Sequence, residues 1–199
     1  MRLGVVILGA GASTRMGRPK LLLPWRDTTV VGHLVRIWRD LGARQIAVVT
    51  APAPAPLAVM LPSLGLGEGD RIENPAPALG MIGSIRCAAR WPGWEAGLTH
   101  WLLTLGDQPQ VQSATLRALL DFAAQHADRI CQPARGGRAR HPVVFPRSAF
   151  RALAETAAAD LKQFLQARPE QRATFESDDA GLDYDLDEPA DYERARNAT

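Results

Sequence analysis

The chain has 199 residues, 46% hydrophobic and 22% charged, with a formal net charge of +2. That length suits a single domain, 1–199, with its own core, and so small a net charge gives no argument for nucleic acid or a membrane surface as partner. No stretch reaches the roughly 18 apolar residues of a membrane helix and no leader-like run is visible; Cys87 and Cys131 match no metal spacing, so the expectation is a soluble cytoplasmic protein with two buried, reduced thiols.

The elements alternate along the chain. Residues 2–8, RLGVVIL, read as a short buried strand closed by glycine. Residues 28–43 read as a helix, with Val31, Leu34, Val35, Trp38 and Leu41 at helical spacing and Gly42 as C-cap. A second buried strand follows at 44–50. The Ala-Pro alternation from 51 stiffens the chain, with a short helix around Leu57–Leu61, and 71–74 make a short strand. Gly80 and Gly83 lead into a helix ended by Pro92. The apolar run THWLLTLGDQP at 99–109 is a strand ending at Gly106-Asp107. Residues 113–128 form a helix capped by Ser113, and 129–134 another strand. A basic, glycine-rich turn at 135–141 feeds a strand, and 148–171 are helical in two pieces. Short strands at 173–177 and 182–189 and a helix over 190–198 close the chain. Strand-helix alternation of this kind predicts a three-layer α/β/α, Rossmann-like, mostly parallel sheet with helices on both faces. Ligands of such sheets sit at the carboxyl ends of the strands.

The loop after the first strand, LGAGASTRMGRPKLLLPW over 8–25, lies at such an end. It is not a P-loop, because Gly17 is followed by Arg18 and Lys20 by Leu21. Nor is it a dinucleotide fingerprint, because the third glycine and the later acidic residue are absent. Its chemistry still suits phosphate. Gly9 and Gly11 let amides converge on an anion, Ser13 and Thr14 add hydroxyls, and Arg15 and Lys20 add charge. Lysine occurs elsewhere only at Lys162. Asp107 ends an apolar strand, where a carboxylate calls for a cation, and magnesium fits a site of carboxylates and phosphates. In LDYDLDEP, alternation puts Asp183, Asp185 and Asp187 on one strand face.

The loop resembles the L-A-[AG]-G-x-S-x-R-M-G-x-x-K-x-L-L-P signature of the MobA-like nucleotidyltransferases, which belong with the GT-A-type sugar-phosphate nucleotidylyltransferases. ENPAPALGMIGSIRCA, LLTLGDQPQV, GGRARHPVVFPRSAF and DLDEPADYERA resemble further family segments in the same order. The resemblance implies a magnesium-dependent nucleotidyltransferase that moves a nucleoside monophosphate to a phosphate acceptor and releases pyrophosphate. It assigns Leu8, Gly9, Ala10, Gly11, Ser13, Arg15, Gly17, Lys20, Gly80 and Ser84 to the nucleotide. Arg15, Lys20 and Asp107 become catalytic, Asp107 and Asp187 metal ligands (with Asp185 the alternative to Asp187), and Arg86, Arg138 and His141 acceptor residues. Alanine at position 10 implies CTP, and the family's acceptor is molybdopterin. The departures are Gly9 for the usual alanine, Ile82 and Gly83 in a normally serine-rich run, and a missing G-D-x-G-x-R turn before the late helix. GTP as donor, a sugar-phosphate-like acceptor, and a non-catalytic maturation factor serving a molybdoenzyme or its chaperone are the competing expectations.

Overall fold

The structure, a computed structural model, describes residues 1–53 and 55–197. In chain order it contains β1 (Leu3–Leu8), β2 (Pro24–Trp25), β3 (Thr28–Thr29), α1 (Val30–Asp40), β4 (Gln45–Thr50), α2 (Pro56–Met60), β5 (Arg71–Glu73), α3 (Met81–Arg90) and β6 (His100–Leu105). Then come α4 (Ser113–Gln125), β7 (Ile130–Arg135), β8 (Arg138–Ala139), β9 (Val143–Pro146), α5 (Arg147–Ala152), α6 (Leu161–Gln166), β10 (Arg172–Glu176) and α7 (Pro189–Asn197). The expected terminal helix is therefore present, and its last residue, Ala198, lies outside the described residues.

The main sheet runs β10-β7-β9-β6-β1-β4-β5, with β8 paired to β7. β1 is central and pairs in parallel with β4 and β6, while β9 runs antiparallel to β6 and β7. Period-two alternation along β1 splits its side chains between two cores: Val5 and Ile7 pack under α1, α4 and α7, and Val6 under α3, α5 and α6. This is the expected three-layer α/β/α sandwich. No helix of the described residues is long and apolar enough to cross a membrane.

Helix α1 (N-cap Thr29, whose side chain accepts from the Gly32 amide) ends at Asp40 with Leu41 as its C-cap, and Gly42, the expected C-cap, sits one residue further on at φ +83°. Sequence and structure differ at further points. Gln112, not Ser113, is the N-cap of α4; Ser113 is its first helical residue. The amide of Gln112 donates instead to Asp179, which ties the start of α4 to the late acidic segment. Residues 182–189 are not a strand. They form a 3-10 turn over Ala180–Asp183, then extended chain with no sheet partner into α7. Cys131 is buried, but Cys87 is only half-buried.

Candidate active site

The carboxyl ends of β1, β4 and β6 are pinned together. The Gly9 amide donates to Val49 O and the Gly106 amide to Leu8 O. The loop that leaves β1 is held from inside and outside. Met16, Leu21 and Leu23 are buried anchors. Ser13 takes φ +51° and its carbonyl accepts from the Gly17 amide at 3.1 Å, while its Oγ accepts from the Lys20 amide at 3.2 Å. Gly17 sits at φ +71°, a conformation that favours glycine. The loop thus doubles back on itself and delivers Lys20 to the end of β6.

There the Lys20 ammonium meets Asp107 in a short ion pair and Asp187 Oδ1 at 3.3 Å. Arg15, on the loop's outer face, reaches Asp187 Oδ2 at 2.8 Å. Burial works to lower the Lys20 pKa, but Asp107 and Asp187 override it and hold it above its ordinary value. Asp185 accepts from Gln108 Nε2 at 2.8 Å. Burial, then the charges of Asp107 and Asp187, raise the Asp185 pKa despite that hydrogen bond. Three carboxylates therefore face two cations. Asp107 and Asp185 open on the same cleft and offer the carboxylate oxygens a hard divalent cation takes, although among the described residues no three ligating side chains are already gathered around one point.

The acidic segment reaches this point through its backbone. The Leu186 amide donates to Asp107 O at 2.9 Å, and Gln110 Nε2 donates to the carbonyls of Gly181 and Tyr184. Gln108 and Gln110, in the DQPQVQ stretch after β6, hold the acidic segment against the end of β6, a role that sequence reasoning passed over. Three glutamines in the short connection from β6 to α4 were the available signal.

A cleft of about 230 Å³ opens between the β1 loop and the start of α3, lined by Leu8, Ala10, Lys20, Gly80, Ser84 and Asp107 among others. It adjoins a second of about 440 Å³ beneath the loop, walled by Ala51, Ala55, Leu57 and Pro77. Gly80 makes the turn into α3 at φ +79°, and Ser84 Oγ accepts from Asn74 Nδ2 at 3.0 Å. Gly9 explains its own departure from the family alanine: a Cβ there would stand 2.6 Å from Leu57 Cδ2 and 2.9 Å from Leu21 Cδ2.

The expected acceptor residues divide. Arg138 and His141 line a third cavity, of about 700 Å³, between α6 and the strands β7–β10. Burial pushes the His141 pKa down to about 4, against the opposing pull of Asp107 and a hydrogen bond to the Leu103 backbone, so its ring is neutral near pH 7. Arg86 is engaged elsewhere: its guanidinium donates to the carbonyls of Thr156 (2.8 Å) and Ala158 (2.9 Å), clamping the α5–α6 connection where the family turn is missing.

The chain is similar in sequence and fold to known proteins. Rv0371c of Mycobacterium tuberculosis H37Rv is 30% identical with a TM-score of 0.75, over 99% of this chain and 98% of that one. A structure of Rv0371c in complex with manganese gives 27% identity and a TM-score of 0.69, with full coverage of both. Bifunctional protein GlmU of Methylibium petroleiphilum is 30% identical over 135 residues, 60% of this chain; the chain spans only 26% of that protein's length. Molybdopterin-guanine dinucleotide biosynthesis protein A of Archaeoglobus fulgidus, 17% identical, shares the fold with a TM-score of 0.67 over 98% of this chain and 97% of that one. The family model for the MobA-like NTP transferase domain matches residues 5–173, from β1 into β10, and the chain belongs to that family of nucleotidyltransferases.

Proposed function

We propose that this nucleotidyltransferase transfers CMP from CTP to a phosphate-bearing acceptor of the molybdopterin type and releases pyrophosphate. The observation that carries the reading is the Lys20 ammonium held between Asp107 and Asp187, with Arg15 beside it, at the mouth of the β1 loop. In this reading the loop amides and Ser13 cradle the β- and γ-phosphates, and Lys20 and Arg15 turn from their carboxylates to the phosphate oxygens. An acceptor phosphate oxygen attacks the α-phosphorus in line. A new P–O bond forms as the α–β bridging bond breaks, and the electron pair leaves on pyrophosphate, whose charge the two cations balance.

Magnesium, held by Asp107 with Asp185 or Asp187, would supply charge neutralisation at the phosphates. The buried Ala10 supports a pyrimidine, since its methyl narrows the space beside the base. Arg138 and His141 face the acceptor. A cytoplasmic setting accompanies this reading, because nucleoside triphosphates are there and Cys87 and Cys131 stay reduced.

The test is pyrophosphate release from CTP, GTP, ATP and UTP, with and without molybdopterin, over a magnesium titration. Turnover should be fastest with CTP, need the acceptor, and vanish in Asp107→Ala while the circular dichroism spectrum is kept. Full metal-dependent turnover by Asp107→Ala would overturn the assignment.

A further inference from the structure

The main sheet ends in two edge strands, and only one of them is blunted. β5 is short, and its Arg71 and Glu73 are ion-paired to each other at 2.6 Å. β10, at the opposite edge, keeps an unbroken register with β7, contains neither proline nor lysine, and has no strand on its outer side among the described residues. An edge of that kind is normally protected, because its free amides and carbonyls recruit another strand. The Ser177 amide donates to Ala134 O at 2.8 Å. Period two therefore turns the amides of Ala173 and Phe175 toward β7 and those of Thr174 and Glu176 outward. The Arg172 amide is already bonded to the Pro169 carbonyl. Thr174 N–H and C=O, Glu176 N–H and Arg172 C=O are left without a partner among the described residues. Thr174 and Glu176 are exposed. The side chains of Arg172 and Glu176 share one strand face and make no ion pair among the described residues; Glu176 accepts from the Gly137 amide at 3.0 Å. On the other face the half-buried Phe175 ring lies against Phe122, with the small Ala173 next along the same face.

We propose that β10 is a homodimer interface, in which a second copy of this chain pairs with it antiparallel about a two-fold axis through Thr174 and joins the two sheets into one. Thr174 exchanges N–H···O=C bonds with its counterpart, and each Glu176 N–H donates to the Arg172 C=O of the other copy, so every free edge group named above finds a partner. The same register sets Arg172 opposite Glu176 and Ala173 opposite Phe175, each pair repeated by the symmetry. Unlike charges and a small residue against a ring are pairs that stabilise a sheet. Moving the axis two residues either way sets Arg172 against Arg172 or Glu176 against Glu176, so charge selects this register. That self-complementary order of charge along the strand is what commits the edge to a second copy of the chain. β7, β9 and β6 separate β10 from β1, so the interface is apart from the nucleotide cleft and the inference is independent of the nucleotidyl-transfer reading.

The experiment is sedimentation velocity on the full chain over a concentration series, with circular dichroism to check that each variant is folded. The 21.6 kDa species should give way, as concentration rises, to one of twice that mass. Nothing larger should form, because a two-fold interface closes on itself. Arg172→Glu and Glu176→Arg each place like charges at both cross-strand pairs and should each weaken association by about tenfold or more. Mixing the two variants restores unlike charges at both pairs and should recover dimer; a merely structural role for either residue would give no such rescue. Thr174→Pro deletes the central outward amide without touching charge and should abolish the dimer. Hydrogen exchange at the Thr174 and Glu176 amides should slow with concentration while β5 is unaffected; this reading and Thr174→Pro carry the test if a charge variant does not fold. A monomer throughout the series, open-ended association, single charge variants that associate like the wild type, or folded variants that fail to pair on mixing would each overturn the proposal.

Discussion

Replacing Lys20 by methionine keeps the length and apolar stem of the side chain and deletes only its charge. The ammonium lies 3.3 Å from Asp187 Oδ1 and closer to Asp107, with side-chain exposures of 14%, 18% and 31% for Lys20, Asp107 and Asp187. At 3.3 Å and an effective dielectric of 20 one such pair is worth about 5 kcal/mol before desolvation. Desolvation and the partial exposure of Asp187 offset most of that, leaving a net stability loss of about 1–2 kcal/mol. In a domain of this size that lowers the melting temperature by about 2–8 °C. The catalytic effect is larger, because the charge would be missing where pyrophosphate departs. Loss of one such electrostatic partner costs about 3–4 kcal/mol, or 10²–10³ in rate. Steady-state pyrophosphate release over a range of triphosphate concentrations reads it as a fall of that size in kcat/KM, with the folded spectrum intact. Activity within tenfold of wild type would refute the argument that Lys20 serves the phosphates rather than merely neutralising Asp107.

Gly9→Ala, although it restores the family residue, should destabilise by about 1–3 kcal/mol, because the new methyl overlaps Leu57 and Leu21; pairing it with Leu57→Ala in a double-mutant cycle under thermal melting should show the two losses to be strongly non-additive. Stability should also fall on mild acidification. Burial, then the charges of Arg26 and Arg36, push the His33 pKa down to about 4, and burial does the same to His141. A lowered folded value means the native state binds fewer protons, so the stabilisation is complete above the unfolded pKa of about 6.5 and is lost as pH drops from there toward 4. Melting temperatures between pH 7 and 4.5 should show this slope, and His33→Gln should flatten it by about half.

Leu3–Leu8, Gln45–Thr50 and His100–Leu105 were legible as buried strands because apolar runs bounded by turns carry their own signal. The same local logic exposed the β1 loop: glycines, an arginine and one of only two lysines at a strand's end need no tertiary information to suggest an anion. It also brought Asp107 to the same edge. Alternation misled at 182–189, where apolar and acidic residues take turns yet the chain turns through a 3-10 segment and joins no sheet. Leu182 and Leu186 are buried there, as a strand would have them, but the backbone bonds go to Gln110 and to the Asp107 carbonyl.

Side-chain types and their periodicity thus determined the layers, the strand ends and the basic, glycine-rich loop proposed to face phosphate, since these follow from contacts made over a few positions. Which of Asp183, Asp185 and Asp187 faces the cleft, that Arg86 clamps the carbonyls of Thr156 and Ala158 near α6, that Leu57 crowds a methyl at Gly9, and that Gln132, His141 and Arg172 line one chamber were decided only by the tertiary structure. Each depends on partners tens of residues away, and chain periodicity carries no record of where those partners will lie.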